Sequence, residues 1–195
     1  MPKVNGSGQA KVFTKAELSK VFKEFKKDDH RLIFTICRYT GERISAVLKL
    51  APLDVYDLKG NVRPILTFKG KNRKGSNGKP GLTRQVPVHP SLSEVLSLYP
   101  VDVKAQWLFP SPQNPKNHLT HQAADAALRR ALDRAGLGDK GISTHSFRRS
   151  FITQLSQSGI SVKVIQRLTG HKKLEQLSAY IEVSEEEMIA ALESL

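Results

Sequence analysis

A chain of 195 residues with 39% apolar content has enough material for one domain with a real core. Its 31 Lys and Arg against 18 Asp and Glu leave a net charge of +13, which favours a polyanionic partner, nucleic acid before membrane. No apolar stretch reaches membrane-spanning length, the first residues lack a signal-peptide core, and a single cysteine, Cys37, excludes an internal disulfide, so a cytoplasmic protein is expected.

In chain order, residues 1–12 are small, polar and basic and read as a flexible segment or linker stump ahead of a domain over 13–195. Thr14 with Glu17 makes a capping box, and Leu18, Val21, Phe22 and Phe25 give an apolar stripe, which predicts a helix to about Phe25. A second helix is predicted from about Asp28 to Tyr39, stopped by Gly41, with Cys37 as a buried apolar residue of LIFTICRY. A third begins at Arg43, whose guanidinium at a helix start suits either a phosphate or a surface salt bridge.

Leu53–Leu58, Pro64–Phe68 and Thr83–Val88 read as three short strands of a small antiparallel sheet, with Lys59, Gly60 and Asn61 in the first turn. The connection KGKNRKGSNGKPGL carries five basic residues among four Gly, which fits a DNA-contacting loop better than a solvated hairpin tip. Lys71, Arg73, Lys74, Lys79 and Arg84 are the candidate contacts there. A helix follows over Pro90–Leu98, then Trp107 as an apolar anchor in the core. Another helix runs from about Thr120 to Ala135, with Arg129 and Arg130 on a basic face that is either a DNA contact or simply solvated. His118 and His121 raise a metal pair, but no third ligand has matching spacing, so phosphate contact or plain exposure is expected and no metal.

The stretch from Ser143 to Tyr180 concentrates the chemistry. His145 and Arg148, three apart on one helix, leave the same face, and Arg149 adds a further cation. Gly159 ends that helix, Ser161 caps VKVIQRL, Gly170 closes it, and His171 sits on the turn, nine residues before Tyr180. From Ser184 a second capping box opens an amphipathic helix to residue 195, with Met188, Ile189, Ala191 and Leu192 on its apolar side.

The order H-x-x-R, then GH, then Tyr nine positions on resembles the tyrosine recombinases, or phage integrases. The same family needs an earlier Arg in T-G-x-R-x-S, matched by Thr40–Ser45 with Arg43, and a Lys on a β-hairpin, matched by Lys69 or Lys71. The likeness covers about Phe13 to the end. Several motifs in the right order carry it where any one alone is weak.

The resemblance implies a mainly α fold with a small three-stranded antiparallel sheet (α+β), the catalytic domain of such an enzyme. It implies cleavage and rejoining of double-stranded DNA through a 3′-phosphotyrosyl link, with Tyr180 as nucleophile. Arg43 and Arg148 would hold the non-bridging oxygens, where charge builds in the transition state. His145 would take the tyrosine proton or donate to the phosphate, and His171 would be a further donor. Lys69, immediately after a strand, is preferred to Lys71 as general acid for the 5′ oxygen.

No ATP, metal or other cofactor is required. The family also implies a homo-oligomer, a tetramer on DNA, joined by the C-terminal helix; docking of that helix on its own domain is the alternative. The usual N-terminal DNA clamp has no room in a chain of this length, so a catalytic half or a weak DNA binder is expected. Ala46, Ser146 and Arg149 depart from common family choices at supporting positions. A type IB topoisomerase-like enzyme and a non-catalytic DNA-binding accessory module are the competing functions.

Overall fold

Thr14 starts the helical part of the molecule: its hydroxyl accepts from the Glu17 N–H, and the Glu17 carboxylate accepts from the Thr14 N–H, closing the expected capping box. This computed structural model describes residues 10–73, 79, 81–171, 173–178, 180, 188, 189, 192 and 193. Lys74, other residues of the hairpin connection and the Ser184 cap lie outside the described residues, as do residues 1–9 of the expected flexible segment. Residues 10–12 are already tied down, because the Lys11 N–H donates to the Gly141 carbonyl at 3.2 Å.

The described helices are α1 Lys15–Glu24, α2 Asp28–Thr40, α3 Ile44–Val47, α4 Pro90–Leu98, α5 His121–Arg134, α6 Thr144–Gln157, α7 Val162–Thr169 and α8 Glu175–Ser178. They divide between a first unit, 1–151, and a second, 152–195, with α6 running through the division.

The sheet is smaller than expected. Strands β1 Ile65–Phe68 and β2 Arg84–Pro87 pair antiparallel, with Ile65 opposite Pro87 and Phe68 opposite Arg84. The third expected strand, Leu53–Leu58, is instead a 3₁₀ turn at Pro52–Asp54 followed by one bridge, Tyr56 to Val62. Local chemistry explains the correction. Pro52 suits the first position of a turn and donates no hydrogen bond to a ladder, and the Asp54 carboxylate accepts from the Ala51 N–H at 3.0 Å. The residues that alternate like a strand are thereby committed to a turn.

The core of the first unit contains a run of phenylalanines. Phe147 on α6 packs against Phe13, Phe22 and Phe34 with ring centroids 4.9, 6.1 and 5.0 Å apart, and Phe25 stacks on Phe34 at 5.1 Å. This burial fixes how α6 presents the residues on either side of Phe147. Gly41 ends α2 in the left-handed conformation at φ 60°, and a Cβ there would lie 2.4 Å from the Phe151 ring. Only glycine satisfies both conditions. Trp107, expected in the core, is only half-buried, its indole N–H donating to the Lys116 carbonyl, while its neighbours Leu108 and Phe109 are buried.

In the second unit, Ile165 and Leu177 are fully buried, and Gly170 ends α7 at φ 67°. Met188, Ile189 and Leu192 are helical and exposed.

Candidate active site

Three elements of the first unit line an open cleft of about 240 Å³: the start of α3 with Arg43, Ile44 and Ser45, the start of α5 with His121, and the first turn of α6 with Thr144, His145 and Arg148. Arg43 is the residue preceding α3, in extended conformation, which follows from the break at Gly41. Ser146, one of the departures noted above, is fully buried, and its hydroxyl accepts from the Ser143 N–H at 3.0 Å, half of a capping box that secures the start of α6. His145 is exposed at this helix start, whereas Arg148 is 4% exposed and one of its terminal nitrogens donates to the Gly41 carbonyl at 2.7 Å. Among the described lining residues there are cations, imidazoles and hydroxyls but no carboxylate. Such a surface is built for an anion.

The acid lies directly behind it. Glu42, 2% exposed, accepts from Arg84 at 2.7 Å, from Arg73 at 2.9 Å and from the Arg43 N–H at 2.9 Å, with Arg148 4.0 Å away. Burial opposes its ionisation, yet Arg84, Arg73 and Arg148 together overcome that and hold its carboxyl below the usual carboxylate range. For Arg84 the balance runs the other way, since burial lowers its guanidinium more than Glu42 raises it. An arginine so placed still keeps its proton at working pH. Sequence spacing did not point to Glu42, because the residues around it are distant along the chain.

Two of the expected DNA contacts, Arg84 and Arg73, belong to this cluster. Arg84 is 5% exposed and also donates to the Thr40 carbonyl, and the half-buried Arg73 donates to the Leu82 carbonyl, so both clasp the hairpin to α2. Arg149 is half-buried too, with a bond to the Ala10 carbonyl at 3.2 Å that anchors the chain entry. Arg129 is exposed and paired with Asp125 at 3.5 Å, Arg130 is exposed, and Lys71 and Lys79 are exposed.

Lys69 follows β1 directly and is not among the cleft residues; its ammonium pairs with the buried Asp54 carboxylate at 2.8 Å. Asp54, which shapes the 3₁₀ turn, thus also orients this lysine. His118 does not line the cleft either, since its ring meets Trp107 edge-on at 5.2 Å.

In the second unit the structure brings His171 and Tyr180 together, with ring centroids 6.1 Å apart. The Thr169 hydroxyl donates to the Ile165 carbonyl at 2.7 Å and lies 2.6 Å from Nδ1 of His171, which ties the imidazole to the end of α7. Tyr180 is half-buried, and its carbonyl accepts from the Thr153 hydroxyl at 3.3 Å.

Comparison with known proteins gives a consistent result. The model of the family described as "Phage integrase family" matches residues 11–187. A tyrosine recombinase of Thermosipho africanus is 27% identical over 93% of this chain and 60% of its own length. The tyrosine recombinase XerD of Corynebacterium glutamicum is 32% identical over 74% of this chain and 45% of its own. The chain thus spans about half of such relatives. Among solved structures, the Tn1549 transposon integrase in complex with transposon right end DNA superposes with a TM-score of 0.75 at 16% identity, covering 97% of this chain and 67% of that one. The catalytic domain of bacteriophage HP1 integrase gives 0.65 at 21% identity, with 95% of both chains covered. These likenesses establish the fold. No helix among the described residues is long and apolar enough to cross a membrane.

Proposed function

The chain belongs to the phage integrase family, and on that premise we propose that it is the catalytic part of a site-specific recombinase that cuts and rejoins double-stranded DNA. The observation that carries this reading is the carboxylate-free cleft where Arg43, His145 and Arg148 meet. A DNA phosphate enters that cleft, and the Tyr180 oxygen attacks its phosphorus. The bond to the 5′ oxygen breaks as Lys69 gives that departing oxygen a proton, releasing a 5′ hydroxyl and leaving a 3′-phosphotyrosyl link. His145 takes up the phenol proton, and His171 donates to the phosphate. The two guanidinium groups hold the charge that builds on the non-bridging oxygens, each such donor contributing about 3–4 kcal/mol to the barrier. A second 5′ hydroxyl reverses the steps, so phosphodiester energy is conserved and no cofactor is consumed.

On a nicked suicide substrate carrying the DNA that flanks the gene, wild type is expected to form a covalent protein–DNA adduct, and Tyr180→Phe none. An undiminished adduct from the phenylalanine variant refutes the assignment. Relaxation of plasmid without sequence requirement points instead to topoisomerase-like chemistry, and binding without any adduct to an accessory module.

The reading extends to assembly as a tetramer on DNA, supported by the exposed apolar residues Met188, Ile189 and Leu192 of a terminal helical segment. A chain ending at Val183 is expected to bind DNA but to lose the higher-order complex in sedimentation; an unchanged complex removes the exchange role.

A further inference from the structure

Three walls enclose the cleft, and the third has no role in the mechanism just given. It is His121, the first residue of α5, exposed to solvent and lining the same space as Arg43, His145 and Arg148. We propose that His121 is a phosphate-binding residue of this cleft, donating an imidazole N–H to the phosphate that Arg148 holds. The inference rests on the reading of the cleft as a DNA phosphate site and adds a ligand to it.

The chemistry favours an anion over any other partner. Whether neutral or charged, an imidazole keeps at least one N–H to donate. The other polar lining groups, Ser45 and Thr144 with the two arginines and His145, are donors as well, and the described lining offers no carboxylate to engage His121 internally. Its place in the fold adds to this. Thr120 caps α5 by accepting from the Ala123 N–H at 3.1 Å, so the 14-residue helix begins at His121 and brings the positive end of its dipole to the cleft wall. His118, three residues earlier, makes none of these approaches and serves as a comparison within the same segment.

The test uses this chain and inorganic phosphate, following the imidazole proton resonances of His121 and His145, assigned with His121→Gln and His145→Gln. Both resonances are expected to move along one binding curve. His121→Ala should weaken phosphate binding about tenfold, the effect of losing one charge-assisted hydrogen bond, and His121→Lys, which keeps a cationic donor, should largely restore it. If the His145 resonance moves while that of His121 stays, or if His121→Ala binds phosphate like wild type, the inference is overturned and the recombinase reading stands. If neither histidine responds and Arg148→Ala leaves phosphate binding unchanged, the cleft is not an anion site and both fail.

Discussion

Glu42→Ala is expected to lower folding stability by about 3–5 kcal/mol, because it leaves buried guanidinium charge without its counter-ion. Arg84 and Arg73 each lose an ion pair to this one carboxylate, and the Arg43 backbone N–H loses its acceptor. Urea denaturation at neutral pH measures the effect, and a change below about 1 kcal/mol would mean that water or a neighbour replaces the carboxylate. Glu42→Gln keeps the shape and an acceptor but not the charge, so its loss is smaller and depends on pH. Because the folded carboxyl titrates below its ordinary value near 4.3, its contribution is fully present above that value and declines as pH falls through the depressed one. The stability gap between wild type and Glu42→Gln therefore narrows in acid. A gap of the same size at neutral pH and at about pH 3 would contradict the ion-pair account.

The second large effect is expected from Arg148→Lys, which should slow adduct formation on the suicide substrate by about two to three orders of magnitude. Charge is preserved, but a guanidinium presents a planar fork to a phosphate and an ammonium a single point. Arg148 is also positioned by its bond to the Gly41 carbonyl, made possible by the left-handed turn that ends α2. A lysine reaches neither partner with the same geometry. DNA binding should fall far less than the rate, since one phosphate contact among many contributes modestly to affinity. A variant that forms adduct within a few-fold of wild type would remove Arg148 from the reacting phosphate.

Local signals in the sequence carried most helices into the structure. Thr14 with Glu17, Gly41, Gly159 and Gly170 mark boundaries through chemistry confined to a few neighbouring residues. The strand expected at Leu53–Leu58 failed because Pro52 and Asp54 close a 3₁₀ turn at its start, leaving Leu53 and Leu58 exposed. The engagement of Arg84, Arg73 and Arg149 with the protein itself was illegible for a different reason. In a chain with an excess of basic residues, every cation reads as a phosphate contact, and burial depends on partners far away, such as Glu42, 42 positions from Arg84. The pairing of His145 with Arg148 was visible as helical spacing. The presence of His121 beside them was not, since α5 and α6 meet only through tertiary packing.

Cys37 decides how a fluorophore can be placed on this protein. The residue is 1% exposed, and burial, with Glu42 adding to it, pushes the thiol far above its ordinary range, so thiolate is scarce at neutral pH. Maleimide dyes will pass over the native residue. A cysteine introduced at the exposed Ser178, two positions from Tyr180, becomes the sole attachment point for a fluorophore, and no cysteine-free background has to be engineered first.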